Sequence, residues 1–177
     1  YRSLFRHSLW MVPGVKEAKA LSKMMKTHPV FGNGAFNIVN VAGDGDEEEK
    51  SEDALEKVQN AIKSAGNEGY TITLSCGKLT TGVTVPEWTA VFYLAGSFST
   101  SASNYLQTIF RVQSPCNKDG KIKTTAYVFD FAPDRTLKMV AESVAISTKA
   151  GKTESSDRLI LGEFLNYCPV IAVEGTN

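Results

Sequence analysis

Short apolar runs alternate with segments whose apolar residues recur every three or four positions, the pattern of an α/β sheet. Ser8-Leu-Trp-Met-Val12 reads as a buried strand closed by Pro13-Gly14. From Val15 to Lys26 the residues Val15, Ala18, Leu21 and Met25 fall at helical spacing. Phe36 to Ala42 reads as a second strand. A second helix starts at Ser51, with Ala54, Leu55, Val58, Ala61, Ile62 and Ala65 on one face and Gly66 as its stop. Tyr70–Leu74 and Thr89–Ala95 read as the third and fourth strands. A third helix is predicted over Ser103–Gln113, with Tyr105, Leu106, Ile109 and Phe110 as its apolar side and Ile109 and Phe110 turned toward the sheet. A turn at Asn117–Gly120, a strand over Thr124–Phe131 and a helix over Asp134–Ile146 follow.

Ser147–Ser156 is polar and reads as a linker. Beyond it one helical pattern, Asp157–Tyr167, precedes the apolar run Pro169–Val173, which reads either as a sixth element of the sheet or as the start of another domain. The expected division is therefore 1–146 as one α/β domain and 147–177 as a linker with a helical extension.

Composition narrows the function classes. Of the 177 residues, 42% are hydrophobic and 21% charged, ordinary values for a globular fold. Lys plus Arg equals Asp plus Glu at 19 each, so net charge makes no case for nucleic acid, and any such contact must come from a local patch. Cys76, Cys116 and Cys168 stand far apart and read as reduced thiols, which suggests the cytoplasm. With only His7 and His28, a histidine metal site or Ser-His-Asp triad is hard to build, and no metal site is expected. No apolar run approaches the roughly 18 residues of a membrane helix. A start at Tyr1 rather than methionine is read as the sign of an excised or trimmed chain.

In open α/β sheets, ligands gather where strands end and helices begin. Pro13-Gly14 is one such loop, and Ala42–Asp46, Ser75–Trp88 and Ser97–Ser103 are the others. Ser75–Glu87 is the most informative, because small residues, Thr80, Thr81 and Lys78 can present backbone N–H groups, hydroxyls and a cation to a phosphate. A plain strand-to-strand connection is the bland alternative. On the third helix Gln107 and Arg111 are four apart and share a face. Together they can meet a polyphosphate across a cleft, although a solvated helix face has the same pattern. Of the six residues Asp44–Glu49, five are acidic (Asp44, Asp46, Glu47, Glu48, Glu49), which fits a solvated loop better than any calcium-site spacing. Trp10 reads as core. Trp88 is open to half exposure, with base stacking the less favoured of its roles.

These features occur together and in order, and so resemble the second RecA-like lobe of superfamily 2 helicases and translocases over residues 5 to 145. Thr80-Thr-Gly-Val-Thr-Val-Pro86 resembles helicase motif V. Gln107-Thr-Ile-Phe-Arg-Val-Gln-Ser114 resembles motif VI, and Ser8–Pro13 with its following helix resembles motif IV. The closest flavour is the helicase subunit of restriction-type enzymes. The resemblance implies an α/β RecA-like three-layer sandwich with a mainly parallel sheet. It implies Gln107 and Arg111 facing ATP held with Mg²⁺ mainly by a first lobe, Arg111 acting as an arginine finger. Gly82 and Thr84 fall at nucleotide-facing positions of motif V, and Thr80 and Thr81 where the family touches the nucleic-acid backbone. Lys78 and Gly14 join the backbone-contact set by charge and position. Three departures are plain. Ser114 replaces the second arginine of motif VI, Phe110 and Gln113 replace its glycines, and Thr84 replaces the aspartate of motif V. Arg111 is then the main source of charge, with Arg135 as a second candidate, although Asp134 and Arg135 also suit a water-facing helix start.

No phosphate loop and no acidic magnesium-binding motif are present, so the chain by itself is not expected to hydrolyse ATP. The leading expectation is the C-terminal motor lobe of an ATP-dependent DNA helicase or translocase, with DNA, the first lobe and nuclease or methylase domains as partners and no membrane. The runner-up is a RecA-like binding module without ATP coupling. A doubly wound transferase is third, weakened by the lack of a Gly-rich first turn.

Overall fold

In the computed structural model, which describes residues 2–43, 51–77, 79, 83–95, 102–118, 120–132, 134–135 and 138, a 3₁₀ turn at Arg2–Phe5 leads into β1 (His7–Met11), α1 (Val15–Thr27), β2 (Phe36–Asn40), α2 (Ser51–Ala65), β3 (Tyr70–Ser75) and β4 (Ala90–Tyr93). Then come α3 (Ala102–Arg111), the short strands β5 (Asn117–Lys118) and β6 (Lys121–Ile122), and β7 (Tyr127–Asp130). The first compact unit is Tyr1–Phe131 and the second is Ala132–Asn177. Most of the second, including the segment expected to be linker and tail, lies outside the described residues, as does the acidic run Asp44–Glu49.

β1 is buried on both faces, with Leu9 fully enclosed. Such a strand belongs at the centre of a parallel sheet, where helices cover both sides. β1 pairs with β3 and β4, β2 adds outside β3, and β7 adds outside β4, giving the order β2-β3-β1-β4-β7. All four pairings are parallel, so the expected mainly parallel sheet is parallel across these five strands.

Alternation along the strands assigns the helices to faces. Trp10, Phe36, Ile38, Ile72 and Leu74 pack with Ala18 and Met25 of α1. Asn37, between Phe36 and Ile38, points the other way, and its Nδ2 donates to Ala61 O and Ser64 Oγ of α2, both at 3.1 Å. Tyr93 registers with Met11, on that second face, and its ring lies 5.2 Å from Tyr105 of α3. The result is α1 on one side and α2 with α3 on the other, the three-layer arrangement expected of a RecA-like lobe. Across the α1 face runs an aromatic ladder, from Tyr70–Phe36 through Phe31 and Trp10 to Phe92, which stacks on Phe129 at 4.7 Å. Offset and edge-on ring contacts of this kind each add about 0.5–1.5 kcal/mol beyond area burial.

Gly66 ends α2 at φ +58, a left-handed conformation that a side chain resists, which is why the helix stops where the sequence expects. The predicted turn at Asn117–Gly120 is the tip of the antiparallel β5–β6 hairpin, with Gly120 at φ +74. α3 differs from expectation in rotation. Tyr105 is buried as expected, but Thr108 and, just past the helix, Val112 continue its buried line, whereas Phe110 is 56% exposed instead of facing the sheet. Thr108 qualifies because its hydroxyl bonds back to Asn104 O at 2.8 Å, so the helix buries a polar side chain that apolar counting overlooks.

Buried His7 has Nδ1 2.9 Å from Thr71 Oγ1. Burial, with help from the Arg6 and Lys118 charges, lowers its pKa from 6.5 to about 4. The unfolded chain therefore takes up a proton before the folded one does. This stabilisation is complete above pH 6.5 and is lost as pH falls toward 4. Between pH 7.5 and pH 5 the loss should be about 2 kcal/mol. Urea unfolding of wild type and His7→Gln at the two pH values checks this, since the variant should lack that part of the slope. Equal slopes would reject the assignment.

Candidate functional site

β1 sends its chain into α1 on one face of the sheet, whereas β4 leads toward α3 on the other. A crevice of this kind at the carboxyl ends of adjacent strands is where α/β sheets bind ligands. At the β4 side of this edge, Leu94 and Ala95 donate their N–H groups to Met11 O at 2.8 and 3.0 Å. Gly14 stands at its rim as the N-cap of α1, in extended conformation and half-buried. A helix N-terminus attracts anions. Here the Glu17 carboxylate already folds over Gly14, because a Cβ built there would sit 2.7 Å from Glu17 Oε2. A phosphate near Gly14 would have to share that space with a carboxylate.

The connection from β3 to β4 is more than a turn. Leu79, Val83 and Val85 are buried and Trp88 is fully enclosed, while Thr84 is exposed. The alternation drives Val83 and Val85 inward and turns Thr84 out, by the same two-residue period that governs strands. Trp88 is therefore a core residue and offers no face to a base, contrary to the half exposure left open by Pro86-Glu87. Its Nε1 is buried without a hydrogen-bond partner. Leu79, Val83, Val85 and Trp88 thus tie the described part of this connection to the core.

Arg111, at the end of α3, reaches this segment. Its Nη1 donates to Val83 O at 2.6 Å, and the side chain is half-buried. Gln107, one turn earlier, is also half-buried, so the pair does not form a solvated helix face. The structure thus joins the two stretches that sequence reading picked out separately, with Arg111 bonded to the residue between Gly82 and Thr84. Lys78, Thr80, Thr81 and Gly82 lie outside the described residues. Ser114 is half-buried where a second arginine was missed. Asp134 is exposed, but Arg135 is 5% exposed, so it is not part of a water-facing helix start. Among the described residues no three His, Cys, Asp or Glu side chains gather to hold a metal ion, and no helix is long and apolar enough to cross a membrane.

Sequence reasoning missed Lys123. Its Nζ donates to Pro86 O at 2.7 Å and to Trp88 O at 3.1 Å, and its backbone N–H donates to Cys116 O at 2.8 Å. Burial lowers its pKa, while the neighbouring Cys116 and Glu87 pull it back up. Since both partners are backbone carbonyls, no side-chain pattern in the sequence could have pointed to it.

No protein-family model matches the chain. It is 34% identical over 175 residues to a Mycoplasma pneumoniae protein named as the C-terminus of a candidate type II restriction enzyme and methyltransferase. The match covers 96% of this chain but 23% of that relative, so the chain spans about a quarter of its length. Among solved structures, domain 2 of the DEAD-box helicase Mss116p bound to an RNA duplex matches at 18% identity with a TM-score of 0.49, over 80% of this chain and 47% of the other.

Proposed function

We propose that this chain is the second, C-terminal lobe of an ATP-driven DNA helicase or translocase in a restriction-type enzyme. The observation that carries the reading is the bond from Arg111 Nη1 to Val83 O, which brings the motif VI-like helix onto the motif V-like segment. A motor lobe of this kind needs those two stretches side by side, one to meet the nucleotide and one to meet the track. ATP and Mg²⁺ are held mainly by the first lobe, and Arg111, with Gln107, faces the nucleotide from this side. Gly82 and Thr84 flank the anchored residue, and Thr84 is turned outward. Lys78, Thr80, Thr81 and Gly14 form the backbone-gripping set, of which Gly14 is the weakest because of Glu17. The name of the Mycoplasma relative supports the restriction setting and the nuclease or methylase partners. Location in the cytoplasm goes with that setting.

A binding module without ATP coupling is the second reading. It is favoured by Thr84 standing where the resemblance calls for an aspartate, and by Ser114 where it calls for an arginine. Steady-state ATP hydrolysis by the protein at its full natural length, with and without duplex DNA, separates the two. The motor reading expects hydrolysis to rise at least tenfold with duplex. Hydrolysis that ignores DNA, or none at all, gives the function to the binding module.

A further inference from the structure

The segment Val83–Trp88 is held from outside at both ends by cations that lie later in the chain. Arg111 takes the carbonyl of Val83 at one end, and Lys123 takes the carbonyls of Pro86 and Trp88 at the other. Charge-assisted bonds to carbonyls are stronger than neutral ones and do not depend on which side chains the segment carries. Between the anchors Val83 and Val85 plug the core, so the backbone has little freedom and Thr84 projects outward. The hairpin that presents Lys123 is itself closed at its base by the Lys123 N–H to Cys116 O bond. Its Lys123 reaches the stretch that leads into β4, whose first paired residues lie beside β1, where Thr89 N donates to His7 O at 2.9 Å.

We propose that Lys123 is a positioning residue, the far anchor of a two-point clamp that fixes the segment 83–88 and thereby sets how Thr84 meets the nucleotide. Its functional half rests on the motor reading above. Lys123 touches neither nucleotide nor track, and acts through the Pro86 and Trp88 carbonyls. The β5–β6 hairpin is then part of the working lobe rather than a surface decoration.

The test uses the protein at its full natural length, as wild type, Lys123→Met and Lys123→Arg, with two readouts. Hydrogen exchange at the Trp88 amide, which bonds to Val85 O at 3.2 Å, reports the clamp. Loss of the charge should speed that exchange about ten- to a hundredfold, and arginine should restore most of the protection. DNA-stimulated ATP hydrolysis reports the consequence. Its kcat should fall about tenfold in Lys123→Met with the KM for ATP nearly unchanged, and Lys123→Arg should recover it. Unchanged exchange overturns the clamp whatever the ATPase does. Faster exchange with wild-type hydrolysis overturns its positioning role. If wild type itself shows no hydrolysis, the motor reading and the positioning role that rests on it both fail, while exchange still decides whether the clamp exists.

Discussion

Arg111→Ala is expected to lower DNA-stimulated ATP hydrolysis roughly 10³–10⁵-fold, the range that removal of an arginine finger covers in nucleotide hydrolases. The effect should be large because no second arginine supports it from position 114, where serine stands. Arg111→Lys discriminates between charge and shape. Lysine keeps the charge but loses the planar fork, so hydrolysis should recover only in small part. Two roles are combined in the alanine variant, since it also removes the bond to Val83 O, a charge-assisted contact worth about 1.5–3 kcal/mol. Thermal unfolding measured beside the kinetics separates them. A modest drop in Tm with near-complete loss of turnover places Arg111 at the nucleotide. Full turnover in Arg111→Ala would reject the finger assignment, and Arg135 would become the residue to replace next.

The second large effect concerns stability. Trp88 is fully buried, so Trp88→Ala should cost about 3–5 kcal/mol and move the urea midpoint far down. Trp88→Phe should behave very differently. It gives up part of the packing but also removes an indole N–H that is buried without an acceptor. An unmet donor of that kind costs about 1–3 kcal/mol, so the two changes offset and the net loss should stay below about 1.5 kcal/mol. Equilibrium unfolding of the three proteins is the check. If Trp88→Ala unfolds within about 0.5 kcal/mol of wild type, the enclosed position assigned to this ring is wrong.

Much of the fold was legible because periodicity reports local geometry. The apolar runs read from Ser8, Phe36, Tyr70, Thr89 and Thr124 all contain strands, which begin at His7, Phe36, Tyr70, Ala90 and Tyr127, and Gly66 ended α2 where a left-handed residue was expected. Legibility failed where partners lie far apart in the chain. Phe110 looked like core by hydropathy, yet Thr108 took the buried line because a helix can satisfy its own threonine hydroxyl. Trp88 looked half free after Pro86-Glu87, yet it folds into the core with Leu79, Val83 and Val85.

The sequence by itself determined the order of the five strands of the main sheet and of the three helices among the described residues, the α/β class, the two stretches around Val83 and Arg111, and the absence of a phosphate loop. Each of these depends on residues within one or two turns of one another, where side-chain period and backbone preference act directly. Tertiary structure alone decided the strand order β2-β3-β1-β4-β7, the carboxylate over Gly14, the bond from Arg111 to Val83 O, and the grip of Lys123 on the Pro86 and Trp88 carbonyls. Backbone carbonyls are the same at every position, so a cation that binds them leaves no complementary residue in the sequence. Such a contact exists only once the chain has brought position 123 within 3.1 Å of position 88.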